Sequence, residues 1–185
     1  NTVVSSCVNS GIVLNDDDNN STGNSTAPMT GGIVGRARGS SSTARVTLKN
    51  NSSIAKDGVY LQTRRGWIGG IVGHTQYVDI TDCDCMTETI GGYGYYYGGI
   101  AGQLDNSTIT SCDAVTNMSA TNNKGMGGVE GRSLSTSAIT GCTYRGSMNN
   151  IASDGTTVKG VAGGLVGLLD TGQLTVSTSS FKGDI

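Results

Sequence analysis

Short apolar runs alternate with polar ones along the whole chain, and the runs are rich in Val, Ile, Thr and Tyr. None carries apolar residues at the 3.6-residue spacing of an amphipathic helix, whereas β-branched and aromatic side chains suit pleated, half-buried strands. The pattern predicts strands throughout and no significant helix. Three extended segments recur. The first is a glycine block: GGIVG at Gly31, GGIVG at Gly69, GGIAG at Gly98, GGVEG at Gly127 and GGLVG at Gly163, spaced 38, 29, 29 and 36 residues apart. The second has an aliphatic residue, two mostly polar ones and a small one: LKNN from Leu48, ITDC from Ile80, ITSC from Ile109, ITGC from Ile139 and VSTS from Val176, with VSSC from Val4 opening the chain. The third is a weaker apolar patch before the next glycine pair, as in VYLQ from Val59 and TTVKGVA from Thr156.

A unit of about 30 residues cannot bury its apolar side alone, so copies must stack, and stacked strands pair in parallel about 4.8 Å apart. This predicts an all-β chain, one domain over residues 1–185: a parallel β-solenoid (β-helix) of about five irregular coils. Its repeats begin near 31, 69, 98, 127 and 163 after a partial repeat over 1–30. Equivalent positions would then lie above one another. Ile71, Ile100, Val129 and Leu165 would form one inward ladder, and Cys7, Cys83, Cys112 and Cys142 another. Adjacent glycines weaken helix and strand alike, and persist where the backbone needs positive φ or no Cβ. The block glycines (Gly31, Gly32, Gly35; Gly69, Gly70, Gly73; Gly98, Gly99, Gly102; Gly127, Gly128, Gly131; Gly163, Gly164, Gly167) are therefore placed at a corner where coils approach closely. Glu130 stands where the other blocks have Val or Ala, which leaves the inward orientation of that position open.

Composition narrows the function classes. The chain has 185 residues with 30 glycines, one proline, one phenylalanine and one tryptophan, so a thin repetitive core is easier to build than a thick globular one. Net charge is −2 with Lys and Arg scattered singly, which offers no basic face to nucleic acid. The longest apolar stretch, Val158 to Leu169, is interrupted by four glycines and falls short of a bilayer span, so membrane insertion is not expected.

The GGIVG block followed by I-T-x-C, repeated at irregular intervals near 30 residues, resembles the GLUG motif of large secreted or surface-attached proteins, which include bacterial adhesins. The resemblance runs from Val4 to Ile185. It implies a repeat scaffold that is secreted, extracellular or at the cell surface, and it implies no activity. Right-handedness is carried by the same analogy.

Candidate chemistry is sparse. The stacked cysteines read either as free thiols acting as small apolar residues or as disulfide staples. A zinc site lacks ligands, because Cys83 and Cys85 form C-x-C and His74 is the one histidine. Asp16, Asp17 and Asp18 among asparagines lack the spacing of a calcium loop and read as a solvated acidic loop. No cofactor is implied. Tyr93, Tyr95, Tyr96 and Tyr97, joined by Trp67 or Tyr77, would form an aromatic platform for a sugar ring or another subunit, or pack over the wall. Sequons at Asn19, Asn20, Asn24, Asn50, Asn51, Asn106 and Asn117 fit a glycoprotein if the source is eukaryotic. No nucleophile, base and acid set surrounds His74, and charged residues do not recur at a shared coil position, so no enzyme is expected.

Neither end reads as a cap, and open strand edges attract further strands. The expectation is an extracellular structural protein, a filament subunit by head-to-tail stacking or an adhesin stalk, partnered by itself or by other surface proteins. The alternative is a carbohydrate-binding or carbohydrate-processing β-helix centred on the tyrosines, with glycans as partners.

Overall fold

The structure, a computed structural model, describes residues 2–15, 27–56, 60–121, 123–151 and 160–185. Among these the chain is all-β, without a helix, and its strands form four parallel sheets. The first sheet runs in the order Thr2–Ser5, Val46–Lys49, Val78–Thr81, Thr108–Thr110, Ser137–Thr140 and Leu174–Ser177. Next along each repeat come short strands of a ten-stranded sheet, such as Asp84–Cys85 and Thr89–Gly92, whose two halves are joined by the long strand Thr143–Ile151. The third sheet holds Met29–Gly31, Trp67–Gly69, Tyr96–Gly98, Gly125–Gly127 and Val161–Gly163. The fourth holds Val34–Arg38, Val72–Gln76, Ala101–Asp105, Glu130–Leu134 and Val166–Leu169. Each inner strand pairs with its equivalents one repeat earlier and one repeat later, and among the described residues the outermost strands pair on one side.

The register aligns like with like. In the first sheet Val4, Leu48, Ile80, Ile109, Ile139 and Val176 fall in one row. Leu48, Ile80, Ile109 and Ile139 are buried, whereas Val176 at the sheet's edge is 42 % exposed. Between the third and fourth sheets, Ile71 N–H donates to Ile100 O, Ile100 N–H to Val129 O and Val129 N–H to Leu165 O, at 2.9–3.0 Å. Ile71, Ile100 and Val129 are buried.

The glycine blocks form the turn between these two sheets. None of their glycines has positive φ, so the requirement there is the missing Cβ. A Cβ on Gly99 would sit 2.2 Å from Gly128 O and 2.6 Å from the Ala114 methyl. The second glycine of each block lies under one side chain from the ten-stranded sheet: Ser53 over Gly32, Cys85 over Gly70, Ala114 over Gly99, Tyr144 over Gly128 and Phe181 over Gly164. Those five residues are themselves in register, and the last two rings stack with centroids 5.7 Å apart. The notch left by glycine on one wall is what lets the opposite wall carry anything from serine to tyrosine.

Glu130 resolves the question its block raised. It aligns with Ala101 and Val166 and is fully buried, so the carboxyl points into the packed interior.

Candidate functional site

The cysteine ladder is a hydrogen-bonding device. In every repeat the residue just before it is left-handed: Ser6, Asn50, Asp82, Ser111, Gly141 and Thr178 have φ between 46° and 64°. That kink takes the next N–H out of the backbone ladder, and a side chain of the following repeat accepts it. Cys7 N–H donates to Asn51 Oδ1 (3.0 Å), Asn51 N–H to Cys83 Sγ (3.5 Å), Cys83 N–H to Cys112 Sγ (3.3 Å) and Cys142 N–H to Ser179 Oγ (3.0 Å). The thiols of Cys83, Cys112 and Cys142 donate in turn to the carbonyls of Thr81, Thr110 and Thr140, at 3.3–3.4 Å. The row therefore demands a small side chain with an acceptor, and Asn51 and Ser179 meet that demand where cysteine is absent. All five cysteines are free thiols, Cys7 exposed and the rest buried. Burial pushes the Cys85 thiol up to about 11.

This geometry corrects the reading of Asn51 as a glycan acceptor. Asn51 is buried, and its Nδ2 donates to Val4 O and to Cys83 Sγ, which leaves no room for a sugar. Asn106 is half-buried, with φ 48° and its amide on Asp105 Oδ1. Asn117 is exposed, with Oδ1 accepting from Ser147 N–H and Oγ–H. Asn19, Asn20, Asn24 and Asp16 to Asp18 lie outside the described residues.

The four tyrosines do not make one platform. Tyr93 is 55 % exposed, and Tyr95 is half-buried beneath Lys124, whose Nζ lies 4.7 Å from the ring centroid. Tyr96 is buried under Arg132, 4.9 Å from its ring. Tyr97 is fully buried, its hydroxyl accepting the Gly94 N–H. Strand alternation over Tyr96–Gly98 turns Tyr96 and Tyr97 to opposite faces, while Tyr93 and Tyr95 lie before the strand.

Register brings a different set together. Arg36, His74, Gln103, Arg132 and Leu168 form one row of the fourth sheet, and Arg38 aligns with Gln76. Polar and charged residues thus do recur at a shared position, against the expectation from sequence. Beside this row, Met29, Trp67, Tyr96, Gly125 and Val161 align in the third sheet. Trp67 stacks on His74 with centroids 5.6 Å apart and planes inclined 25°. Leu168 and Tyr96 close over Gly125, and Arg132 lies over the Tyr96 ring while bonding Asp170 and Gln103. Burial, with Arg36 next in weight and Arg38 and Arg132 adding to it, lowers His74 to about 4, so the imidazole is neutral at pH 7. Trp67 Nε1 and His74 Nδ1 have no hydrogen-bond partner.

Asp79 marks the opposite style of charge. Arg45 holds it with Nε 2.9 and 2.8 Å from its two oxygens, Arg45 Nη2 lies 2.7 Å from Oδ1, and Thr108 Oγ1 adds a bond of 2.8 Å. Burial raises the carboxyl, and these bonds more than offset it, leaving Asp79 below its ordinary value. No group of three or more metal-ligating side chains occurs among the described residues, and no helix is long and apolar enough to cross a membrane. Compared with known proteins, the chain matches no family model, no curated protein and no solved structure.

Proposed function

We propose that the chain is a structural repeat scaffold: a right-handed parallel β-solenoid of about five coils, of the GLUG type, that works outside the cell or at its surface as a filament subunit or adhesin stalk. Cohesion through backbone ladders and stacked side chains is the mechanism, and no chemical turnover is involved. One observation carries the reading. The last strands of the order bear exposed apolar side chains, Val161, Leu169 and Val176, whose counterparts one repeat earlier, Gly125, Ser133 and Ile139, are buried, and the first strands expose Val3, Val8 and Leu14. The outermost strands there pair on one side only among the described residues, and such edges take up further strands. Further repeats, a second copy or another surface protein would cover them, and a heterologous contact between copies propagates into a fibre when it does not close.

Electron microscopy and sedimentation of the purified chain test this. Unbranched fibres are expected with an axial repeat of about 25–30 Å, five to six layers at about 4.8 Å each. Leu169→Lys combined with Val176→Lys, both exposed in the single chain, should disperse them while leaving the far-ultraviolet spectrum unchanged. Monodisperse single chains at high concentration would refute end-to-end assembly.

A further inference from the structure

The chain's one tryptophan lies near two exposed arginines, Arg36 and Arg38. Arg36 and Arg38 project from alternate positions of Val34–Arg38, about 7 Å apart along the strand, and both are exposed. Neither has an acidic partner among the described residues, whereas Arg45 is committed to Asp79 and Arg132 to Asp170. Arg36 lies one strand from His74, on which the half-buried Trp67 is stacked. His74 is nine-tenths buried, and its Nδ1 and the Trp67 Nε1 both lack a partner. Next to Arg38 opens a cleft of about 290 Å³ whose walls include Thr2, Ser40 and Arg45.

We propose that the surface formed by Trp67, Arg36 and Arg38 binds an acidic saccharide, a polymer of sugar rings bearing carboxylates. Each part of the ligand has a counterpart. A guanidinium takes a carboxylate through two parallel N–H bonds, and such charge-assisted forks are about twice as strong as neutral hydrogen bonds. The indole offers a flat apolar face to the C–H side of a sugar ring. The hydroxyls of Thr2 and Ser40 supply the mixed donors and acceptors that ring hydroxyls need. A nucleic acid fits poorly, because Arg36 and Arg38 make no extended basic track along a phosphate backbone and the chain's net charge is −2. This binding function is additional to the scaffold and holds whether or not the ends associate.

Trp67 reports on the site directly, since its emission is the only tryptophan signal. The probes are polygalacturonate, alginate and hyaluronate, with fully methyl-esterified polygalacturonate and dextran as uncharged controls. Affinity electrophoresis should show retardation by at least one uronate polymer, at least tenfold weaker with the ester and absent with dextran. The same polymer should shift or quench Trp67 emission. Arg36→Ala combined with Arg38→Ala alters only exposed side chains, so the fold should survive and affinity should fall at least tenfold. Trp67→Leu should weaken binding similarly. If that variant fails to fold, the emission change in the unaltered chain decides instead. Equal binding to the esterified polymer, unchanged affinity in the double variant, binding without a Trp67 response, or no retardation by any of the three polymers would each overturn the proposal.

Discussion

Glu130 gives the most quantitative test of how this molecule is held together. Its carboxyl is fully buried, and neither oxygen has a hydrogen-bond partner in good geometry. Burial raises it to about 8, and the Leu104 backbone and Ser133 hydroxyl only partly offset this. In the unfolded chain it titrates near 4.5. Folding at pH 7 must therefore protonate it, which costs about 3 kcal/mol at roughly 1.4 kcal/mol per pH unit. The sign follows from a folded value above the unfolded one. Stability is complete below pH 4.5, falls as pH rises toward 8 and then levels off about 5 kcal/mol lower. Urea unfolding at unit steps from pH 5 to 9 measures this, with Glu130→Gln as the reference because it keeps the shape and cannot ionise. The difference between the two chains should grow by about 1.4 kcal/mol per unit and flatten above pH 8. Glu130→Val, which restores the residue of three other blocks, should exceed the wild-type stability at pH 7 by about 3 kcal/mol. His74, lowered from 6.5 to about 4, acts on the acid side and cancels in the comparison. Parallel curves for wild type and Glu130→Gln would mean that the carboxyl reaches water or a partner, and the reasoning would fail.

Two further outcomes address the walls of the fold. Gly99→Val puts its Cβ 2.2 Å from the Gly128 carbonyl, a backbone atom that cannot rotate away, so thermal unfolding should show a loss well beyond the roughly 1 kcal/mol of an ordinary strand glycine. A loss no greater than that would displace the close approach from its role in the glycine block. Cys112→Val removes the acceptor of the Cys83 N–H at nearly constant size and should cost about 1–3 kcal/mol, whereas Cys112→Ser retains the acceptor and should lose less. Equal losses for the two variants would reduce the row to plain packing.

What the sequence by itself determined is the repeat and its strand content. Identical motifs such as ITDC, ITSC and ITGC announce that Ile80, Ile109 and Ile139 occupy equivalent places, and parallel pairing needs nothing more than equivalence to align them. The glycine blocks were legible for the same reason, although only the tertiary structure showed that they serve backbone approach and not positive φ, which falls on Asp82, Ser111 and their counterparts. Asn51 and Ser179 fell at the ladder position in LKNN and VSTS, but their role there was not legible. What their row selects is an acceptor atom at a fixed place, a property that cysteine, asparagine and serine share without resembling one another. The row of Arg36, His74, Gln103 and Arg132 was hidden in the same way, because an outward position is under no demand for like residues. Tyr97 entered the core while Tyr93 stayed in water, because Tyr97 lies in the strand Tyr96–Gly98 and Tyr93 in the bend before it, a division that residue type does not reveal. The core repeats its chemistry because each repeat must cover the next, and the surface is free to vary, so its meaning arises only when folding sets distant residues side by side.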